Sequence, residues 1–362
     1  MANNAVTYGF MQLEDVYDRR VADIEPQRID DAVYASAAAY DRDMNAVLSE
    51  LVEDTTERDG AFELPTSGEL QPGSEDGKPV VTQNYAEITQ GYPMWRGMDA
   101  FGFNREAYAK ITVRDMDKAM LAVQQKQARW TMRRVFASFF TNASYTFKEK
   151  GRTDLTVRPL ATTADGAIYL DQNGDLATAE HYTGQADGIG NSTNPFTANE
   201  AILRAHPGNT GTIVQYIPPG LVADTVALAG WFPYNPNKGL VNYGDGVDLA
   251  ADAVSRYLGF GNEIVGVVSE SVIVMSRRLP AGYVVALVAD GVQKPIVRRR
   301  EPEPQLQGLQ VVPIQVDSNF RRFDFYLKEG YAVRNPIAMA VREVGDASYD
   351  VPTGYDARTL PG

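Results

Sequence analysis

The stretch Phe320–Val344, FRRFDFYLKEGYAVRNPIAMAVREV, sets aromatic and β-branched residues against charges in a nearly regular two-residue beat. Two readings compete for it. Arginines interleaved with aromatics suit a groove that tracks phosphates and stacks bases. The same beat suits a strand covered on one side, because Phe323, Phe325 and Leu327 share one face while Phe320, Arg322, Asp324 and Tyr326 share the other. Gly330 is expected to break the run, and YAVRNPIAMAV to resume it.

Charge decides between them. The chain carries 47 Asp plus Glu against 34 Lys plus Arg, a net charge of -13, whereas phosphate binding needs a cationic footprint. The stretch therefore reads as part of a wall, and any DNA nearby is expected to be held without sequence-specific binding. The imbalance is local: residues 1–60 hold 14 acidic residues, 5 Arg and no Lys, a net of -9, which leaves -4 for the rest.

At 362 residues with 44% hydrophobic and 22% charged content, the chain is long enough for two or three packed units. No run approaches the roughly 20 apolar residues that span a bilayer, so no membrane partner is expected. The N-terminus MANNAVTYGFMQLEDVYDRR lacks the basic-then-apolar order of a signal peptide, which implies a protein made and kept in a cytoplasm. Cys is absent, removing disulfides, zinc ribbons and thiol nucleophiles, and only His181 and His206 could serve as imidazole bases or ligands. No enzyme activity, cofactor or metal is expected.

Along the chain, DAVYASAAAYDRDMNAVLSELVED places Val33, Ala37, Tyr40, Met44, Val47, Leu48 and Leu51 at helical spacing, an apolar face that needs a partner surface. Seven Gly and Pro residues then fall between Gly60 and Pro79. With AFEL and VVTQNYAEIT on either side, this predicts a long two-stranded ribbon, which is marginal alone. Next comes a helix expected over Val113–Asn142, with Thr112 as N-cap and Asp115 three residues on. It is a rod of roughly 45 Å. Residues 150–196 are turn-rich, with a hairpin at AIYLDQNGDLATA, and the remainder reads as mixed α and β.

Four motifs reduce to structure. DQNGD has its Gly174 at the fourth position rather than the sixth of a calcium loop, so a hairpin turn is expected. GFGNEIVG resembles a dinucleotide fingerprint but runs into a strand pattern where a helix is needed. His206, in AHPGNT, reads as a helix-to-strand stop. Arg298, Arg299 and Arg300, in RRREPEP, read as a solvated or intersubunit salt-bridging loop.

An acidic arm, an unsupported ribbon and a rod-like helix follow one another without catalytic residues. In this order the chain resembles tailed-bacteriophage major capsid proteins of the Hong Kong 97-type fold, most closely in YLGFGNEIVGVVSESVIVMSRRLPAGYVVALVADG and FYLKEGYAVRNPIAMAVRE. The resemblance implies an α+β fold with an N-terminal arm at 1–58 and an extended loop at 59–96. A peripheral domain at 97–196 would hold the spine helix 113–142 and a local insertion at 150–196, an axial domain would take 197–318, and 319–362 would return to the peripheral domain and the tail. It implies a virion protein assembled in the host cytoplasm, forming hexamers and pentamers of an icosahedral shell around double-stranded DNA. A separate scaffolding protein, a portal and a decoration protein are the partners it implies. Tyr85, Ile88, Tyr92, Met94, Trp95, Arg298, Arg299 and Arg300 are the expected intersubunit contacts. The competing classes are an encapsulin-type compartment and a glycan-active enzyme or binding module, the latter using pairs such as Asp171 and Asp175 or Glu301 and Glu303.

Overall fold

The computed structural model describes residues 16–49, 51–64, 86–102, 106, 109–233, 262–289, 291, 293–317 and 320–361. The architecture is mixed α and β, built on two sheets and one long helix that joins their cores.

The first sheet has five strands. In it β1 (Val52–Thr55) runs parallel to β15 (Ile296–Arg300), which pairs with β17 (Phe320–Val333), and β17 in turn takes β16 (Gln310–Asp317) and β4 (Trp95–Gly102) as antiparallel partners. The apolar face of the beat is borne out, since Phe323, Phe325 and Leu327 are all buried, but Asp324 on the opposite face is buried too, with Arg322 donating to its carboxylate. Gly330 does not break the strand. β17 runs straight through it because residues 93–94 cross there so closely that a Cβ would lie 1.7 Å from the Pro93 carbonyl oxygen. Glycine is required there for lack of a side chain rather than for a turn.

Helix α1 (Pro26–Leu48) starts with Pro at its first turn, and α2 (Val113–Phe140) starts at Thr112, whose amide and hydroxyl both donate to the Asp115 carboxylate at 3.2 and 3.0 Å. The apolar face of α1 finds its surface inside the same chain: Ile29, Val33 and Ala37 pack against Val113, Met116, Met120 and Val123 of α2 and against Phe323 and Phe325. Gln124 of α2 donates to Ser36 Oγ at 3.1 Å across this seam. The arm from residue 16 onward is therefore docked without a neighbour.

The second sheet has seven strands in the order β11 (Trp231–Pro233), β12 (Glu263–Val268), β13 (Ser271–Met275), β10 (Ile213–Ile217), β14 (Tyr283–Val288), β18 (Met339–Val344) and β9 (Tyr182–Gln185). Its β-branched runs are buried on both faces, as the sequence pattern implies for a covered sheet. One face packs on the C-terminal half of α2 through Phe136, Phe139 and Phe140, and α3 (Pro195–Arg204) closes the other through Phe196 and Leu203. Strand pairing differs from the expected division at residue 318. β15 and β16 belong with the five-stranded sheet, while β18 crosses into the seven-stranded one, where β9 from the turn-rich 150–196 stretch forms its edge. The reason is register: Val341 must pair with Tyr182 and Val285 to bury its face.

The C-terminal tail and β9 close over the end of α2 and bond to acceptors there, including carbonyls that a helix end leaves unpaired. Tyr349 Oη donates to the Phe140 carbonyl at 2.6 Å, Tyr182 Oη to the Thr141 carbonyl at 2.7 Å, and the Ala357 amide to Thr141 Oγ1 at 2.8 Å. Arg134 is buried with its guanidinium 4.3 Å from the Trp95 ring and 5.4 Å from the Trp130 ring, and it donates to the Pro361 carbonyl.

Candidate functional site

Three features of the chain are candidates for a use beyond holding the subunit together. The first is the ribbon. Its root is a regular antiparallel pair, β2 (Asp59–Leu64) with β3 (Ala86–Gly91), in the register Phe62↔Ile88. The root is pinned to the body: Phe62 and Ile88 pack beside Tyr169, and Gln90 Nε2 donates to the Arg158 carbonyl at 3.1 Å. Residues 65–85, and with them Tyr85 and the Gly- and Pro-rich tip, lie outside the described residues.

The other residues expected at a contact surface divide. Ile88 is half-buried at the ribbon root, whereas Tyr92, Met94 and Trp95 are at most 8% exposed and form part of the subunit's own core. The arginine run is not a loop. Arg298, Arg299 and Arg300 are consecutive residues of β15, and the first two are only 4% exposed. Arg298 holds Asp54 with two 2.7 Å hydrogen bonds and Asn45 Oδ1 with a third at 2.7 Å. Arg299 reaches Glu149 at 3.1 Å and the Tyr92 carbonyl at 2.9 Å. Arg300, half-buried, donates to Asp54 at 3.2 Å. Burial works to raise the Asp54 carboxyl, but the hydrogen bonds and charge of Arg298 outweigh it and hold the group below the usual carboxylate range. The run reads as basic surface in sequence because its acidic partners, Asp54 and Glu149, are far away along the chain.

Behind it sits Glu329 of β17, fully inside the protein. Thr131 Oγ1 and Tyr331 Oη donate to its Oε1 at 3.1 and 2.7 Å, and Arg298 Nη1 stands 3.9 Å from Oε2. Burial dominates and holds this carboxyl above the usual range. The five elements that meet here are α1, β1, β15, β17 and α2, so the cluster joins arm, sheet and helix.

The second feature is a groove of about 730 Å³ on the outer side of α2. Arg129 and Arg133 from the helix, and Arg277 and Arg278 from the turn after β13, surround an apolar floor of Met132, Phe136 and Tyr355. All four arginines are exposed, and among the described residues no carboxylate lines the groove. In a chain of net charge -13 this is a concentrated cationic surface. Sequence reading missed it because TMRR and SRRL lie on different elements and only the packing of α2 against the second sheet brings them together.

The third is the pair His181 and His206, whose Nε2 atoms face each other at 3.1 Å. Asp171 and Asp175 close a hairpin turn, with the amides of Asn173 and Asp175 donating to Asp171 Oδ1 at 2.8 and 2.9 Å, and Glu301 pairs with Lys328. No group of three or more potential metal ligands occurs among the described residues, and no described helix is long and apolar enough to cross a membrane.

No family model and no curated protein matches the sequence. Among solved structures, a chain of Mycobacterium phage Patience is similar at 17% identity and a TM-score of 0.68 over 95% of both chains. The mature capsid of bacteriophage PhiM1 is similar at 9% identity, a TM-score of 0.48 and coverage of 82% of this chain and 86% of that one. The capsid of Ralstonia phage GP4 is similar at 11% identity, a TM-score of 0.48 and coverage of 84% and 90%. The assignment rests on the first of these: over nearly its whole length the chain has the fold of a bacteriophage protein.

Proposed function

We propose that this protein is the major capsid protein of a tailed phage, with the Hong Kong 97-type fold, and that it assembles as hexamers and pentamers into an icosahedral shell around double-stranded DNA. The observation that carries the reading is end-to-end likeness in fold to a phage chain, with 95% of each covered. The ribbon supports it, because Pro65, Gly68, Pro72, Gly73, Gly77 and Pro79 deny its tip a core of its own. On this reading the five-stranded sheet with α1 and α2 is the peripheral domain, and the seven-stranded sheet with α3 is the axial domain. A scaffolding protein, a portal and a decoration protein are the partners that such a shell recruits.

The cationic groove is the receptor for a neighbour's ribbon. Residues 66–77, TSGELQPGSEDG, carry Glu69, Glu75 and Asp76 with no cation, and Leu70 supplies an apolar side chain for the floor. Charge complementarity of this kind sets register and suppresses wrong partners.

The test is negative-stain microscopy and light scattering of the protein expressed alone and together with its scaffold, with nucleic-acid content measured on any particles from infected cells. Closed shells that contain DNA are expected. A monodisperse 39.7 kDa species under both expression conditions would overturn the proposal.

A further inference from the structure

The chain has two histidines, and the fold brings them into contact in its interior. His181 precedes β9 and is 0% exposed, while His206 follows α3 and is 5% exposed. Their rings meet edge to edge, inclined at 30° with centroids 5.2 Å apart, and the two Nε2 atoms stand 3.1 Å from each other. Each ring is anchored at its other nitrogen. His181 Nδ1 lies 2.5 Å from the Met339 carbonyl of β18, and His206 Nδ1 lies 3.0 Å from the Leu170 carbonyl. Leu170 belongs to the hairpin of β7 (Tyr169–Leu170) and β8 (Leu176–Ala177).

Counting protons along this chain of four groups gives an unequal answer. A carbonyl oxygen only accepts, so each end requires an N–H at Nδ1, and a neutral imidazole has a single N–H. Both Nε2 atoms are then bare, and two lone pairs face each other at hydrogen-bond distance. One more proton completes the chain: Met339 O, His181, His206 and Leu170 O are then joined by three hydrogen bonds, with the pair carrying one positive charge. A fourth proton would set two N–H groups against each other. The geometry therefore accommodates one added proton and excludes the next.

We propose that His181 and His206 form a one-proton latch, which shares a single proton between the two Nε2 atoms as the pH falls and parts when a second arrives, freeing the Tyr169–Ala177 hairpin from the sheet edge. The hairpin is a small two-stranded element bonded to His206 through the Leu170 carbonyl, and His181 leads into the edge strand β9, so the ring-to-ring contact links the two, beside the apolar packing of Tyr169 with Phe62 and Ile88. Among the described residues no carboxylate is hydrogen-bonded to either ring. On the hairpin side are the Tyr169 ring, edge-on to His206 at 6.1 Å, and Asp171, whose charge acts on His206. Glu180, next to His181, turns its carboxylate to Thr162, Thr163 and the Tyr182 amide. After α3, Asn209 Nδ2 donates to the Leu203 and Ile337 carbonyls, and Arg204 is held by the Asn209 carbonyl and Glu270. From β18 the Met339 carbonyl faces the pair.

The direction of the pH effect follows from burial, which pushes His181 down to about 4 and lowers His206 as well. Unfolded, both rings titrate near the ordinary value of about 6.5 and bind two protons. Folded, the pair binds one at most. The stability that the neutral pair contributes is thus present above about 6.5 and is lost as the pH falls toward 4, by at least about tenfold in the folding equilibrium per pH unit once the unfolded rings are charged.

The test is ¹⁵N NMR of the histidine rings in the full chain between pH 7.5 and 4, with hydrogen exchange of the 169–177 amides followed in parallel and corrected for its intrinsic pH dependence. At pH 7.5 both rings should be Nδ1–H tautomers with unprotonated Nε2. Acidification should shift the two rings together for one proton, and hairpin protection should fall when the second binds. His206→Gln keeps an N–H for the Leu170 carbonyl but has no charge, so hairpin protection should lose its pH dependence. Two rings that each take a full proton independently near 6.5, or an Nε2–H tautomer with bare Nδ1 at pH 7.5, would overturn the proposal. So would a hairpin whose protection is unchanged down to pH 4 in the wild type, which keeps the test open if the variant fails to fold.

Discussion

Glu329 and Arg298 lie within 3.9 Å of each other in the interior, yet they serve the fold in opposite ways. Arg298 is the hub, with Asp54 and Asn45 on its guanidinium, while Asp54 is 45% exposed and also paired with Arg300. Arg298→Met should cost about 1.5–3 kcal/mol in urea unfolding at pH 7, the range for losing hydrogen bonds to a charged group. Glu329 is used mainly as an acceptor for Thr131 and Tyr331, a role an amide oxygen fills equally well. Its folded carboxyl titrates above the unfolded value, so protonation stabilises the folded state at low pH and that contribution is lost as the pH rises through the folded value. Glu329→Gln has no such loss. Its stability relative to wild type should therefore improve as the pH rises from about 4.5, by up to about 1.4 kcal/mol per pH unit across the window. An equal cost for the amide at every pH would show that the charge itself is needed.

At the scale of elements, the arm and the ribbon look alike in sequence, each offering apolar residues without an evident core, but they have different fates. The α1 face is buried on α2 and the sheet of its own chain. The root of the ribbon is anchored by β2–β3 pairing and the Phe62 and Ile88 contacts beside Tyr169. Replacing residues 66–80 by a short Gly-Ser turn should leave circular dichroism unchanged and monomer stability within about 0.5 kcal/mol, as for surface changes away from packed features. Shell yield and shell melting should drop sharply. If the deletion unfolds the monomer, the tip belongs to the subunit core; shells of normal yield and stability would rule out the ribbon as a clamp between subunits.

Across the whole molecule, a net charge of -13 coexists with the arginine groove on α2. The overall charge opposes tight binding to DNA, which on the proposed reading suits the lining of a container that must not grip its contents. The groove, with its apolar floor, fits an acidic peptide better than a duplex. Arg129→Glu with Arg277→Glu should leave the monomer's melting unchanged, since both side chains are exposed, and should reduce assembly by tenfold or more. Restoring opposite charge with Glu69→Lys, Glu75→Lys and Asp76→Lys should recover part of the yield. Failure of the reversed pair to recover any assembly, with both variants folded, would separate the groove from the ribbon.

The elements themselves were legible in the sequence because they rest on local chemistry. The Thr112–Asp115 cap, the uninterrupted helix behind it, the β-branched runs bounded by Gly and Pro, and the Asn173–Gly174 turn all depend on residues a few positions apart. So did the burial of Phe323, Phe325 and Leu327, which follows from the two-residue period of a strand. What only the tertiary structure decided were pairings between distant segments. Gly330 looked like a break because nothing local shows that Pro93 crosses it, and RRR looked like surface because Asp54 and Glu149 are remote in sequence. The arm's partner, the groove and the histidine pair belong to the same class. Periodicity states which side of an element is apolar and says nothing of which other element will cover it, since that choice is made by long-range packing and the closing of buried hydrogen bonds.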